Sequence, residues 1–307
     1  MNFIFSRLWR YLNIYFLKPF DAVNDTLTSY LIYKVHKLKN NYLELGSGDG
    51  MFSFIMAGGK FPFYFDRYID VALNKKDIFD THTKEIKIKN TIKLIRPFLS
   101  IDAKKNHVKK IKEIGFSKNS FHSKLENIKL KKKNKFDLIF FYTAHGLTDL
   151  KKSILGAKKH LKKNGKILIL VFDDFVKKNF ICYKMSKKNF FPAFFNKIDN
   201  GRYKEISNYS KTLKGWKNFF EKNGFKIQKI SSGLSGTAWK VYDVQTRPIL
   251  HFLVRLFNFF PSILRIAFKL IWMIILYPVI LLFFLFYSNI YFNNNKNCYH
   301  VFEIRKK

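Results

Sequence analysis

Residues 41–50, N-Y-L-E-L-G-S-G-D-G, carry the clearest chemical signal in this chain. Gly46, Gly48 and Gly50 fall at every second position behind an apolar stretch, and residues 51–56 begin a helix-like apolar run. A strand that breaks into a glycine-rich turn and then a helix leaves backbone N–H groups aimed at whatever occupies the crevice. Glu44 adds a carboxylate at the end of the strand, and Ser47 lies within the turn. That combination suits a small ligand with a cationic amine beside a carboxylate, and S-adenosylmethionine is the commonest cofactor of that kind.

A second carboxylate follows from the elements downstream. Residues 98–102, F-L-S-I-D, read as a short strand ending in Asp102. Residues 103–114 then alternate as a helix, with Val108, Ile111 and Ile114 on one face, and stop at Gly115. A strand ending in Asp before a helix is where a doubly wound fold places the acid that holds a ribose. Asp66 competes, being nearer the usual spacing of about 20 residues from the glycine turn. No helical pattern follows Asp66, so Asp102 is preferred. The intervening residues, lysine-rich and without period from 71 to 95, read as an insertion.

The rest of the chain supplies the frame. Residues 135–142 run into a buried strand, and residues 143–148 form the loop at its end, with His145 in Y-T-A-H-G. Residues 150–161 read as an amphipathic helix closed by Lys163-Asn164-Gly165, and residues 166–172 as an apolar strand followed by Asp173 and Asp174. Residues 177–212, aromatic and lysine-rich, are expected to cap the carboxyl edge of the sheet. A helix over 214–223, Gly224 and a strand over 225–230 follow. Strand and helix alternate as in a parallel sheet with helices on both faces.

From Tyr42 to Ile230 the ordered motifs resemble the class I S-adenosylmethionine-dependent methyltransferases. E-L-G-S-G-D-G looks like their first motif, and Asp102 sits where the family places its ribose acid. F-D-L-I-F-F at 136–141 is similar to the fourth-strand motif. H-L-K-K-N-G-K-I-L-I at 160–169 and W-K-N-F-F-E-K-N-G-F-K-I at 216–227 are similar to the later helices and strands. The resemblance implies an α/β, doubly wound, Rossmann-like fold with a seven-stranded sheet whose last strand is antiparallel. It implies S-adenosyl-L-methionine as cofactor, bound by Glu44, Gly46, Ser47, Gly48, Gly50, Asp102 and Tyr142. Two departures stand out: the long insertion before Asp102, and the lack of an acid where the third strand often contacts adenine. Residues 121–127 are the region expected to supply that contact.

A Rossmann dehydrogenase would need G-x-G-x-x-G for its pyrophosphate. Here Met51 takes the third-glycine position, and Asp49 is expected to repel a pyrophosphate. Methyl transfer from a sulfonium requires alignment of nucleophile, carbon and sulfur. An oxygen or nitrogen acceptor must also lose a proton, so His145 is the expected general base, with Tyr142 and Asp173 as weaker candidates. The alternative reading of His145 is a loop residue that only packs or hydrogen-bonds.

The net charge of +36 comes mostly from lysine spread over short clusters in an Asn-, Ile- and Phe-rich chain. That pattern favours a biased genome and attraction to an anionic membrane over nucleic-acid binding. Two distant cysteines, Cys182 and Cys298, argue against a disulfide framework, and no metal-ligand spacing occurs. Residues 1–40 read as a helical, amphipathic segment expected to pack on the methyltransferase domain, which spans 41–247.

Residues 248–292 form a hydrophobic, membrane-associated insertion, and 293–307 a final strand and basic end. The run from Leu270 to Tyr287 lacks charge and reaches the length of a spanning helix, about 18 residues. Alternation over 298–304 marks the expected seventh strand. That strand would bring the chain back to the domain and exclude a single crossing, leaving a re-entrant hairpin or helix pair bent near Pro261 and Pro278. The expected setting is the cytoplasmic face of a membrane, with an amphipathic or lipid-linked acceptor such as a surface-glycan intermediate. A quinone precursor, a soluble small molecule or a catalytically silent binding module are the alternatives.

Overall fold

The computed structural model describes residues 2–67, 88, 93–128, 130, 134–142, 147–199, 201–292 and 296–307. Two helices open the chain, α1 (Asn2–Ile14) and α2 (Pro19–Val35). β1 (Leu43–Leu45) leads to α3 (Met51–Met56), β2 (Leu99–Asp102) to α4 (Lys105–Ile114), and β3 (Asn119–His122) follows. β4 (Phe136–Phe141), α5 (Leu150–Lys158) and β5 (Leu161–Phe172) continue the alternation. Three short helices, α6 (Ile181–Lys187), α7 (Pro192–Asp199) and α8 (Arg202–Asn208), precede α9 (Leu213–Lys222) and β6 (Phe225–Ser235). α10 (Gly236–Val244), a π turn (Gln245–Ile249), α11 (Leu250–Asn258) and α12 (Ser262–Tyr291) then lead to β7 (Asn297–Lys306).

The strands form one seven-stranded sheet in the order β3-β2-β1-β4-β5-β7-β6. β7 lies antiparallel between β5 and β6, while β1 to β5 pair in parallel. The doubly wound fold and the inserted final strand therefore stand as the sequence predicts. Alternation along β4 and β5 explains the two cores. Leu138, Phe140, Leu168 and Leu170 face α2 and α3, whereas Ile139, Phe141, Ile167 and Ile169 face α5 and α9. Successive side chains of a strand point to opposite faces, so a strand covered on both sides must be apolar throughout.

β5 and α12 depart from the sequence reading in ways that matter for the packing. β5 starts at Leu161 rather than Lys166, and the register jumps from Phe136↔Leu161 to Leu138↔Lys166. The expected Lys-Asn-Gly turn is thus an irregularity inside the strand. A Cβ at Gly165 would stand 2.8 Å from the Phe136 carbonyl, so no larger residue fits there without movement. α12 runs unbroken through Pro278, and of these two prolines only Pro261 stands at a break between helices. Helical backbone around an interior proline survives where neighbouring packing holds it.

α1 and α2 belong to the core, with Leu8, Tyr11, Leu12, Leu27 and Leu31 buried. α12 packs along them through edge contacts of Trp9 with Tyr277 and of Phe20 with Phe283. Trp272 Nε1 donates to the Phe16 carbonyl at 2.9 Å, and Lys269 Nζ donates to the carbonyls of Phe63 and Phe65 at 2.7 Å each. The opposite side of α12 is bare.

Candidate functional site

Three neighbouring strands, β2, β1 and β4, bring the predicted residues to one edge. The turn after β1 needs backbone that side chains disfavour: Gly46, Gly48 and Gly50 have φ of 67°, 57° and 77°. Gly46 N–H donates to the Ile101 carbonyl at 2.9 Å. Gly48 N–H donates to Asp102 Oδ2 at 2.8 Å. Asp102 Oδ1 accepts from Lys104 N–H at 2.9 Å, and His107 Nδ1 stands 3.1 Å from it. One carboxylate therefore fixes both the glycine turn and the start of α4. A carboxylate oxygen accepts about two hydrogen bonds, so Oδ2 keeps capacity for a ligand hydroxyl.

Glu44 lies beneath the turn, 1 % exposed. The Ser53 hydroxyl donates to Oε1, and Ser100 Oγ donates to Oε2 at 3.3 Å. Burial pushes its carboxyl up to about 7, against the two hydroxyls and with help from Asp102. Ser47 is buried, its Oγ 3.4 Å from the Ile101 carbonyl. Tyr142, just past β4, stacks on Phe52 with centroids 4.1 Å apart. Burial drives the Tyr142 hydroxyl well above its ordinary range, which keeps it protonated near neutrality.

Asp173 is also committed. Its Oδ1 accepts from Phe175 N–H at 2.8 Å, and its Oδ2 pairs with His300 Nε2 at 2.9 Å. His300 Nδ1 meets Ser232 Oγ at 2.7 Å. His145, the expected base, and most of the insertion over 71–95 lie outside the described residues. Asp66, the rejected ribose candidate, is 5 % exposed and neighbours Lys269.

Phe121 of the expected adenine region is 54 % exposed at the end of β3, where His122 opposes Asp102. Glu126 is engaged elsewhere, accepting from Thr148 N–H and Oγ1 at 2.7 Å each. Over this edge, Glu205 of α8 acts electrostatically on Lys104, in keeping with the cap expected of residues 177–212.

Asp49 carries a correction. It forms an ion pair with Arg67 at 2.5 Å, so its charge does not stand free to repel a pyrophosphate. The absent third glycine still separates this turn from the dinucleotide pattern, because buried Met51 occupies that position.

Sequence reasoning missed a cluster on α2. Arg67 Nη1 donates to the Tyr15 hydroxyl, which in turn is hydrogen-bonded to the Asp25 carboxylate. Burial and then Asp21 push Asp25 up to about 7, against Arg67, Tyr15 and Lys18. The available signal was two acids, Asp21 and Asp25, one turn apart in a helix whose only other charge is Lys34.

No protein-family model matches the chain, and no curated protein matches it in sequence. Solved structures do. A SAM-dependent methyltransferase of Thermotoga maritima, described as a possible histamine N-methyltransferase, aligns at 14 % identity with a TM-score of 0.51. That alignment covers 99 % of this chain and 98 % of the other. SAM-dependent methyltransferases of Thiobacillus denitrificans and Geobacter sulfurreducens, each in complex with S-adenosyl-L-homocysteine, align at 11 % identity over 92 % of this chain and 90 % of theirs, with TM-scores of 0.44 and 0.43. With the strand order and the antiparallel seventh strand, the similarity to the Thermotoga protein establishes that this chain has the class I S-adenosylmethionine-dependent methyltransferase fold.

Proposed function

We propose that this chain binds S-adenosylmethionine at the β2–β1–β4 edge and transfers its methyl group to an oxygen or nitrogen of an amphipathic or lipid-linked acceptor. The observation that carries the cofactor reading is the bond from Gly48 N–H to Asp102 Oδ2, which joins the glycine turn to the acid of the next strand. Glu44, Ser47 and Tyr142 complete the cofactor side of the site in this reading. Bound there, the cofactor supplies an activated methyl carbon. The chain's own task is to orient the acceptor, exclude water and receive a proton.

The acceptor class rests on α11 and α12. Within residues 263–291 the most apolar 18-residue window has a mean hydropathy of 2.6, and only 22 % of that window is buried. Ile274, Ile275, Leu282 and Phe286 are 63 %, 63 %, 64 % and 72 % exposed. Burying a side chain of this kind is worth about 1.5–3 kcal/mol, so four together would outweigh the cost of holding the protein at a surface. Soluble monomers rarely leave such a patch open.

The arm leaves the sheet from the carboxyl end of β6 and returns at the start of β7. Both ends lie at the edge that carries the glycine turn, since β6 and β1 point the same way. In this reading α11 and α12 lie in the cytoplasmic leaflet, with the site opening toward it. Incubation with methyl-tritiated S-adenosylmethionine and a total lipid extract tests the proposal. Label is expected in the organic phase; label confined to water-soluble products would sink the lipid acceptor.

A further inference from the structure

We propose that Asp25 is the proton acceptor for the methylated group, and that Tyr15 and Arg67 tie it to the cofactor turn at Asp49. This rests on the cofactor reading above. Among residues 21–29 of α2, Asp25 alone is half-buried while all its neighbours are buried. This part of α2 lies at the carboxyl edge of the sheet: Thr28, three residues on, bonds the Tyr299 hydroxyl, and Tyr299 opposes Phe172 at the end of β5.

The charges around Asp25 are accounted for. Lys18 pairs with Asp21, and Arg67 pairs with Asp49 at 2.5 Å. Tyr15 holds the Asp25 carboxylate, while Tyr142, Tyr242, Tyr299 and Tyr11 lie within its electrostatic reach. Tyr142 is the residue at the end of the fourth strand, beside the cofactor site. A chain of polar contacts thus runs from Asp49 in the glycine turn through Arg67 and Tyr15 to Asp25.

α2 also packs on α10 and the π turn. There Asn24 Oδ1, Trp239 Nε1 and both amide atoms of Gln245 are buried without a hydrogen-bond partner among the described residues. Buried polar atoms left unpaired cost about 1–3 kcal/mol each, and an incoming polar ligand removes that penalty. π turns recur at functional sites. Neutral amides, an indole N–H, tyrosines and one carboxylate suit a hydroxyl- or amine-bearing acceptor rather than an anion.

In the step itself, a lone pair of the acceptor oxygen or nitrogen attacks the methyl carbon. The carbon–sulfur bond breaks with its electron pair retained on sulfur, which becomes a neutral thioether. The proton of the O–H or N–H passes to an Asp25 oxygen and then to solvent. A carboxyl lifted to about 7 by burial is well matched to that task near neutrality.

Sinefungin, which carries C–NH3+ in place of the sulfonium methyl, tests this without knowledge of the acceptor. Calorimetry at pH 8 compares it with S-adenosylhomocysteine. The parent protein should prefer sinefungin by about tenfold, a factor equivalent to 1.4 kcal/mol. Asp25→Asn should lose that preference and still bind S-adenosylhomocysteine; Asp25→Glu, which keeps the charge, should retain it. A full preference in Asp25→Asn would overturn the assignment alone. Failure of the parent protein to bind S-adenosylhomocysteine would overturn the cofactor reading and this inference with it.

Discussion

Gly48 N–H and Asp102 Oδ2 are 2.8 Å apart, and this bond ties the turn after β1 to the acid that ends β2. The same carboxylate accepts from Lys104 N–H at 2.9 Å, so it orders the ligand-facing turn and the next helix together. A Cβ at Gly48 would meet nothing within 4 Å, yet the residue's φ is 57°. The glycine is needed for its backbone conformation and not for lack of room.

Asp102→Ala leaves the Gly48 and Lys104 N–H groups without their acceptor. A stability loss of about 1–3 kcal/mol is expected, read from denaturant unfolding. S-adenosylhomocysteine affinity should fall by about tenfold or more, since the variant also removes the expected ribose acceptor. Unchanged affinity would remove Asp102 from the site.

Glu44 predicts a pH dependence. Its folded carboxyl is raised from 4.5 to about 7, chiefly by burial, so its stability contribution is complete below 4.5 and is lost as pH rises through 7. In the absence of ligand, Tm should decline between pH 5 and 8, and Glu44→Gln should flatten that slope. A cationic amine bound nearby would lower the carboxyl's pKa, so S-adenosylmethionine binding at pH 6 should release protons. Calorimetry in buffers of different ionisation enthalpy measures that release.

Glu303 has the opposite sign. It is 1 % exposed, and although burial pushes its carboxyl up, Lys166 at 2.8 Å and His36 at 2.5 Å hold it below the ordinary range. A depressed carboxyl contributes stability above its unfolded pKa and loses it as pH falls through the folded value. Lys166→Met should therefore lower Tm most at neutral pH and flatten its decline on acidification, with the two proteins converging at low pH.

Lys269 joins the apolar arm to the segment after α3 through the carbonyls of Phe63 and Phe65. Lys269→Met should lower stability by about 1–3 kcal/mol and speed amide exchange over residues 61–67. Exchange at the parent rate would show that packing alone holds the arm.

The arm itself predicts partitioning. Ile275→Glu with Leu282→Glu adds two charges to its bare side, at positions 63 % and 64 % exposed. Binding to anionic phospholipid vesicles should fall by at least tenfold with S-adenosylhomocysteine affinity intact. Dimerisation of the parent protein with no vesicle binding would assign that surface to a second copy.

Periodicity and glycine spacing made most of the fold legible. The apolar runs of β4 and β5, Asp102 at a strand end and the alternation over 298–304 each follow from local backbone rules. Asp25 was hidden because its role comes from distant partners: Tyr15 in the preceding turn and Arg67 beyond the glycine loop. A sequence shows two acids one turn apart on α2 but not which of them keeps accessible surface. The unbroken passage of α12 through Pro278 was hidden for a related reason, since neighbouring helices decide whether a proline ends a helix.

Cofactor binding is the property on which a methyltransferase and a silent binding module differ most directly. Titration of the purified full chain with S-adenosylmethionine by calorimetry should give one site per chain, with a Kd on the order of micromolar, about −8 kcal/mol. Gly48→Val, which cannot adopt the required backbone, should abolish the heat. The absence of binding by the parent protein at millimolar cofactor would contradict the central claim.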